Sequence, residues 1–278
     1  MRGMKLSEKN FLRIIGYNHK QLSELKANIN SYYTEQYQVK TDQFGNTIYL
    51  ENGEPKQRVI NPSFGELKQI QNIIKRQILR KIPYPEYLHG SIRGKSCITN
   101  ARFHQGNKYF LQTDLKDFFP SIHFKYVYDS LVRMGFIPTV ASHLTRLMTY
   151  NKCVPQGAPT SSYVANLAFL QYDEQIKMIC DKYGMKYTRY CDDLAFSSKQ
   201  PITKNIVDEL LGIIRSSPFQ YHHRKTYMET GVTEITGVRV YNNHLDAPPS
   251  KYEKLNSLEP DSNSAKGLNQ FIESIKEA

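Results

Sequence analysis

Lys186-Tyr187-Thr188-Arg189-Tyr190-Cys191-Asp192-Asp193-Leu194-Ala195-Phe196-Ser197 sets a Tyr-x-Asp-Asp tetrapeptide between two short β-prone runs. Such runs on either side of a tight acidic turn predict a hairpin with the acids at its tip. Adjacent carboxylates repel, so the pair is unfavourable unless a cation holds it. Mg²⁺ prefers hard oxygen ligands and takes one or two carboxylates, leaving positions for water and phosphate. A bare Asp-Asp in a loop is most often a solvated turn. Here the apolar flanks and a third acid upstream favour a cation site.

That third acid is Asp114. It ends the apolar strand pattern Tyr109-Phe110-Leu111-Gln112-Thr113-Asp114, which runs on through Leu115-Lys116-Asp117-Phe118-Phe119 into a turn closed by Pro120. If this strand neighbours the hairpin in one sheet, its terminal acid sits beside the other two. A capping Asp is the alternative.

The rest of the chain is read against these acids. Its 278 residues allow a large core and one or two domains, and 40% hydrophobic residues make it globular. A net charge of +11 and a pI of about 9.3 argue for a polyanionic partner, nucleic acid first, although many basic proteins bind nothing specific. Twenty Tyr and 13 Phe, with no Trp, include rings beside basic residues that suit stacking on bases, while most belong to ordinary core. Cys97, Cys153, Cys180 and Cys191 form no Cys-x-x-Cys pair, so a reducing cytosol is expected. Met1-Arg2-Gly3-Met4-Lys5 opens a polar segment, so no signal peptide is expected, and no apolar run is long enough to span a membrane.

Residues 7–33 have helical spacing, with Ser7 as cap and Leu22, Leu25 and Ile29 on one face. Residues 37–41 and 47–50 flank Asp42-Gln43-Phe44-Gly45-Asn46 and predict a hairpin. Lys56 and Arg58 then share one face of a strand, a face that solvent also suits. Residues 64–82 form an amphipathic helix with a Leu67, Ile70, Ile74, Ile78 stripe, widened by Ile73, Leu79 and Ile82. Its basic surface meets phosphates or solvent, and Pro83 and Pro85 end it. His89-Gly90-Ser91-Ile92-Arg93-Gly94-Lys95-Ser96 is a plausible phosphate cradle without the Walker pattern.

Helical pieces are expected at 124–134 and 139–150. Pro155-Gln156-Gly157 lies in a turn that opens a helix to about Cys180. Its Gly157 permits close backbone approach, and Ala165, Phe169, Tyr172 and Ile176 face inward. Another helix, 203–217, presents Ile206, Leu210, Ile213 and Ile214. His222 and His223, neighbours in an extended segment, point to opposite faces and read as solvated or facing nucleic acid. Residues 234–240 read as one strand, turned by Asn242-Asn243. The tail from Asp246 is polar with a short helix at 265–276.

The order of these motifs resembles the reverse transcriptases over roughly residues 40–245. Lys56, Arg58 and Pro62 resemble the first fingers motif, and His89-Gly90-Ser91-Ile92-Arg93-Gly94-Lys95-Ser96 the second. The Asp114 strand resembles the palm strand with the first catalytic acid. Pro155-Gln156-Gly157 resembles the nucleotide-pocket motif and Tyr190-Cys191-Asp192-Asp193 the signature hairpin. Lys225 falls where the family has a lysine that can protonate the leaving pyrophosphate, and Thr236-Gly237 at the primer-grip strand. Asn100-Ala101-Arg102-Phe103-His104 and Ile235-Thr236-Gly237 are similar to the Asn-Ala-x-x-His and Val-Thr-Gly motifs of bacterial retron enzymes. The chain departs from these at Cys191, usually Ala, at Ile235, and in its short segment after the palm.

The resemblance implies an α+β fold: a right-hand polymerase with a ferredoxin-like βαββαβ palm, α/β fingers and a short helical thumb. Residues 1–108 would be N-terminal helices and fingers, 109–245 palm with fingers elements at 124–165, and 246–278 a short thumb or tail. It implies an RNA-directed DNA polymerase in which a primer hydroxyl attacks the α-phosphate of a deoxynucleotide. Asp114, Asp192 and Asp193 would be catalytic and hold two Mg²⁺, with Mn²⁺ able to substitute. Lys56, Arg58, Arg93, Lys95, Phe119, Gln156, Gly157 and Lys225 would bind the nucleotide, with the Phe119 ring set against a ribose 2′-hydroxyl. Asn100, His104, Tyr190, Thr236 and Gly237 would meet RNA or primer. The implied partners are a cognate structured non-coding RNA as template and primer, its single-stranded, branched DNA product, and a separate effector protein of anti-phage defence, in the bacterial cytoplasm and without a membrane. Alternatives are another defence- or intron-related reverse transcriptase with a different template or priming, and a non-catalytic RNA-binding scaffold, which has no need of three clustered acids.

Overall fold

Spacing and caps account for the elements of the computed structural model, which describes residues 5–42 and 45–278. Met1 to Met4, on which the leader expectation rests, and Gln43-Phe44 of the expected turn lie outside the described residues. In chain order the elements are α1 (Glu8–Ile15), α2 (His19–Ala27), β1 (Gln36–Val39), β2 (Gln57–Ile60), α3 (Gly65–Gln77), α4 (Cys97–His104), β3 (Tyr109–Asp114), α5 (Phe118–Ser121), α6 (Phe124–Arg133), α7 (Pro138–Met148), α8 (Ser161–Lys182), β4 (Lys186–Tyr190), β5 (Asp193–Ser198), α9 (Lys204–Arg215), β6 (Tyr227–Thr230), β7 (Thr233–Ile235), β8 (Val238–Val240), β9 (Leu245–Asp246), α10 (Pro249–Ser257) and α11 (Asn263–Lys276).

They form two compact units. The first comprises Met1–Lys40, Tyr49–Tyr84 and Asp117–Gln171. Ser7 Oγ accepts the Asn10 N–H at 3.3 Å and starts α1. Gly16, at φ 76°, ends it, and Asn18 caps the second helix of the stretch expected to be helical. In α3 the predicted stripe is buried at Leu67, Ile70 and Ile74, each burial contributing about 2 kcal/mol. The helix yields to a short 3₁₀ turn at Leu79–Lys81 before the prolines. Gln71 is fully buried yet satisfied: it donates to Tyr33 Oη and the Leu147 carbonyl, both at 2.8 Å, and accepts from Ser63 Oγ at 2.6 Å. The expected hairpin is kept at its turn, where Thr41 bridges Thr47, but not along its length: β1 lies antiparallel to β2, Gln36 opposite Ile60, and Tyr49 bridges Pro55. Pairing register is a long-range property that the local turn signal at Gly45-Asn46 does not specify.

The second unit comprises Thr41–Ile48, Pro85–Lys116 and Tyr172–Ala278. Its antiparallel sheet has the order β4-β5-β3-β6. With the C-terminal half of α8 between β3 and β4, and α9 between β5 and β6, the chain order is βαββαβ, the ferredoxin-like arrangement. A second sheet, β7-β8-β9, shares a core with α4, α11 and the first sheet through Ala101, Phe110, Ala195, Ile235, Val238, Val240, Ile272 and Ile275. The stretch 234–240 is therefore a hairpin and not one strand. The polar tail forms two helices, α10 and α11. No helix among the described residues is long and apolar enough to cross a membrane.

Candidate active site

Asp114 and Asp193 are register partners across the β3–β5 ladder. Opposite residues of an antiparallel pair have Cβ atoms about 5 Å apart, and like charges there destabilise the sheet. Asp192 occupies the turn of the β4–β5 hairpin, and its carbonyl accepts the Leu115 N–H at 2.9 Å, which extends the β3 side of the ladder by one residue. Burial first, then the charges of Asp192 and Asp114, push the Asp193 carboxyl up to about 7. Burial and Asp114 raise Asp192 as well. Relief comes from Lys225. A 3₁₀ turn, His223–Lys225, sets its Nζ 2.8 Å from Asp114 Oδ2, the one ammonium in ion-pair contact with these acids among the described residues. Burial lowers the Lys225 pKa, but its hydrogen bond to Asp114 and the charges of the three acids outweigh that and raise it, so the ammonium stays protonated at neutral pH. The His222-His223 segment, expected as extended, bends into this turn, and the His222 N–H donates to the Asp114 carbonyl at 2.7 Å.

The acidic turn is supported from within. Tyr190 pairs with Asp193, so Cys191 and Asp192 are its two turn residues. Cys191 has φ 57°, a left-handed conformation that glycine usually supplies at the first position of such turns. Arg189 is fully buried. Its Nε and Nη2 hold the two carboxylate oxygens of Asp173 at 2.8 and 2.6 Å, and its Nη1 donates to the Cys191 carbonyl at 2.9 Å. Tyr187 Oη donates to Asp173 Oδ1 at 2.7 Å. From outside, the loop read as a phosphate cradle lies on the turn. A Cβ on Gly90 would stand 2.3 Å from the Cys191 nitrogen, so only glycine fits.

A cavity of about 560 Å³ opens beside the acids and is lined by Asp114, Asp193, Lys225, Asn100, Thr236 and Gly237, with Gln112, Arg224 and Glu234 among its other walls. Asn100 Nδ2 donates to Thr236 Oγ1 at 3.2 Å, and Thr236 Oγ1 donates to the Cys97 carbonyl at 3.4 Å. Asn100 Oδ1 is buried without a hydrogen-bond partner. A buried acceptor left unpaired is unfavourable by about 1–3 kcal/mol. Thr236 and Gly237, at φ 48° and 77°, form the two-residue turn between β7 and β8, so the residues expected on a strand stand at a hairpin tip.

His104, expected among the RNA- or primer-facing side chains, is fully buried and faces the sheet instead. Its ring nitrogens lie 2.7 Å from Ser197 Oγ and 2.7 Å from Thr188 Oγ1, and burial, with Lys186 next in effect, lowers its pKa to about 3. Asn100 and His104 stand four apart on α4 and so share a face. One holds the β7–β8 turn and the other the β4–β5 stem.

The remaining expected residues fall in both units. In the first, Phe118 turns inward onto Phe169, centroids 6.0 Å apart, leaving Phe119 half-buried. Gln156 accepts the Asn61 N–H at 2.6 Å, and Gly157 needs its φ of 105° next to Pro62, which brings these two motifs together. Lys56 is half-buried and Arg58 exposed on β2. In the second unit Arg93 is exposed, Lys95 Nζ donates to the Glu86 carbonyl at 3.1 Å, and Tyr190 is half-buried. Sequence reading missed the Asp173–Arg189 pair. Asp173 has Glu174 beside it in α8, and Arg189 shares β4 with Lys186, so neither stands out in the sequence.

A profile described as reverse transcriptase (RNA-dependent DNA polymerase) matches residues 50–252. The chain belongs to the reverse transcriptase family. Retron Se72 reverse transcriptase of Salmonella heidelberg (strain 579083-10) is 31% identical over 211 residues, 75% of this chain and 52% of that protein. Retron Ec86 reverse transcriptase of Escherichia coli is 30% identical over 214 residues, 75% of this chain and 66% of that protein. The chain thus spans between half and two thirds of the length of these relatives, and the retron resemblance is borne out by them. Among solved structures, telomerase from Candida albicans in complex with a TWJ fragment of telomeric RNA aligns with a TM-score of 0.50 at 12% identity, over 83% of this chain and 51% of that one. Apo telomerase from Candida tropicalis, truncated from its C-terminal domain, aligns with a TM-score of 0.51 at 14% identity, over 84% and 61%. At such identity the likeness concerns the fold, an α+β polymerase fold, as expected.

Proposed function

We propose that the chain is the polymerase core of a retron-type RNA-directed DNA polymerase. The observation that carries this reading is the opposition of Asp114 and Asp193 across β3–β5, with Asp192 in the adjoining turn and Lys225 against Asp114. In the proposed reaction a primer hydroxyl attacks the α-phosphate of a deoxynucleotide, a new P–O bond forms, and pyrophosphate leaves.

The donor set fits divalent ions. Three hard-oxygen acids stand close, one of them paired with an ammonium, and burial followed by neighbouring acids raises the carboxyl pKa of Asp192 and Asp193. Among the described residues no three side chains form a ready-made metal cage. Mg²⁺ is ordinarily held by one or two carboxylates together with substrate phosphates, so an all-protein cage is not required. Asp114, Asp192 and Asp193 would hold two Mg²⁺, or Mn²⁺ in their place, which when bound supply charge neutralisation to the attacking and leaving oxygens. Lys225, protonated and exposed on one side, is assigned as the proton donor to the departing pyrophosphate. Lys56, Arg58, Arg93 and Lys95 are assigned to the triphosphate, and Gln156 and Gly157 to the nucleotide. Tyr190, Asn100, Thr236 and Gly237 are assigned to the primer end, with His104 supporting them from below. The half-buried Phe119 is assigned to sugar discrimination. Phe119→Ala should raise ribonucleotide incorporation about tenfold relative to the parent, within the range one apolar contact contributes to discrimination; unchanged sugar selectivity would remove that role.

The template we assign is a structured non-coding RNA, and the product a single-stranded DNA joined to RNA by a branched linkage. A separately encoded effector would act with it in anti-phage defence. The motifs around Asn100 and Thr236 and the retron relatives support this. So does a second concavity, about 640 Å³, lined by Lys116, Arg215, His222, His223 and Arg224 with no carboxylate, a surface suited to RNA phosphates.

The test is the nucleic acid that copurifies with the protein from its native locus, compared with Asp193→Asn. A discrete DNA of fixed length, debranching-sensitive and absent from the variant, supports the reading. Unbranched or heterogeneous DNA keeps the polymerase and discards the retron product. RNA alone from both proteins favours a non-catalytic scaffold.

A further inference from the structure

We infer that the buried Asp173–Arg189 pair is the positioning device of the acidic turn, fixing where Asp192 and Asp193 stand relative to Asp114. The inference rests on the polymerase reading above. Two nitrogens of the Arg189 fork satisfy Asp173, and the third leaves the pair to hold the Cys191 carbonyl at 2.9 Å. Asp173 is in turn held by Tyr187 Oη, so the fork is fixed on a helix and a strand that the turn residues do not belong to.

Stability alone does not account for this arrangement. Buried ion pairs are often replaceable by apolar residues of similar volume without loss of stability, because the desolvation of two charges offsets their attraction. A planar fork with three occupied directions does something an apolar pair cannot: it fixes a backbone carbonyl in space. The carbonyl it fixes belongs to a strained residue. Cys191 is a non-glycine at φ 57°, and such conformations persist only where the surroundings over-determine them. Here the surroundings are Arg189 on the carbonyl side and Gly90 against the amide side, where not even a Cβ would fit. The backbone of Arg189 is also pinned, its N–H donating to the Tyr87 carbonyl and its carbonyl accepting from His89, both at 2.9 Å. The turn is thus gripped on both sides of one residue, Cys191, and the two acids follow it directly. A site that must hold ions between Asp114 on one strand and Asp193 on the next needs that spacing held to fractions of an ångström.

The experiment uses the full chain and two replacements. Arg189→Lys keeps a charge beside Asp173 but lacks the fork. Asp173→Leu with Arg189→Met and Tyr187→Phe exchanges the whole network for apolar side chains. For each, the thermal midpoint, affinity for an RNA template annealed to a DNA primer, Mn²⁺ binding by electron paramagnetic resonance, and the single-turnover rate of deoxynucleotide addition are measured. Both variants should melt cooperatively and bind template–primer within about twofold of the parent, as expected for a site whose scaffold is intact. Their Mn²⁺ dissociation constants should rise about tenfold and their single-turnover rates fall about 100-fold, the usual scale for lost outer-shell support and misplaced reacting groups. A folded apolar variant with the parent's Mn²⁺ affinity and rate overturns the inference, since the pair would then be core filler. A rate loss explained by weaker template–primer binding, with Mn²⁺ affinity unchanged, overturns it too. If the parent adds no deoxynucleotide while Mn²⁺ binding still weakens in both variants, the polymerase reading fails and the positioning role stands.

Discussion

The β4–β5 and β7–β8 hairpins each turn on two residues, and they hold their turns by different means. At Cys191-Asp192 only the first residue has a positive φ, the pattern in which glycine normally leads. Cys191 takes that place under the combined grip of Arg189 and Gly90. At Thr236-Gly237 both residues have positive φ, and the turn is held from the α4 side alone, by the 3.2 Å bond from Asn100 and a 3.4 Å bond to the Cys97 carbonyl. A Cβ on Gly237 would meet nothing within 4 Å. The first turn is over-determined and carries charge that must be placed. The second is open, faces a cavity, and keeps an unpaired acceptor in its support. On this comparison the first hairpin should act on the rate of the reaction and the second on what is bound.

The largest expected effect lies in the first hairpin. Asp193→Asn should lower deoxynucleotide addition by about 10³-fold or more, with little change in template–primer affinity. The same change should stabilise the metal-free protein by about 0.5 kcal/mol at neutral pH and above, because it removes a like-charge pair across the ladder. The pH sign follows from Asp193. Its folded pKa is raised to about 7 from an ordinary value near 4, so the stability this carboxyl contributes is present below about pH 4 and is lost as pH rises to 7. The advantage of the variant in chelator should therefore grow between pH 4 and 7 and be absent at pH 4. Melting curves that stay parallel across that range would break the account of a carboxyl raised by burial and by its neighbouring acids.

The second hairpin is sharpened by Asn100→Leu. Removing a buried acceptor that has no partner should leave the unliganded protein as stable or slightly more so. Yet KM for primer should rise about tenfold with kcat nearly unchanged, the signature of lost uniform binding. A loss confined to kcat would make the two hairpins alike and undo the comparison.

Much of the first hairpin was legible because its signals are local: β-prone flanks, a two-residue acidic turn, and an apolar strand ending in Asp114. Its support was not. Asp173 lies 16 residues before Arg189, and Gly90 about a hundred before Cys191, so neither contact leaves a short-range pattern. The second hairpin was misread for a different reason. Thr236 is β-branched and looks like strand, but it adopts φ 48° where Ile235 and Val238 pair. The apolar spacing from 235 to 238 breaks the two-residue alternation and coincides with Gly237, a signal that outweighs the β propensity of threonine. His104 was read from a family motif as facing RNA; burial and two hydroxyl partners give it an internal role that no motif specifies.

His104 supplies a smaller test of how the two hairpins are tied. Its folded pKa is lowered to about 3 from 6.5, so the stability it contributes is complete above about pH 6.5 and is lost as pH falls toward 3. His104→Gln, which keeps a hydrogen-bonding side chain without a titrating ring, should flatten the fall in stability between pH 6.5 and 4. A variant as acid-sensitive as the parent would place that sensitivity elsewhere, with His89 the first candidate, since burial lowers it to about 4.

Gly237→Ala gives the smallest effect and the finest discrimination. At φ 77° an alanine is strained by about 1 kcal/mol, although there is open space for its methyl group. If the β7–β8 turn is held only from the Asn100 side, it can shift to relieve that strain. The loss of stability should then stay below 1 kcal/mol while KM for primer rises, because the shift moves Thr236 relative to the cavity wall. A full loss of stability with an unchanged KM would mean that this turn is as rigid as the acidic one, and that the contrast between a placed charge and an adaptable binding edge does not hold.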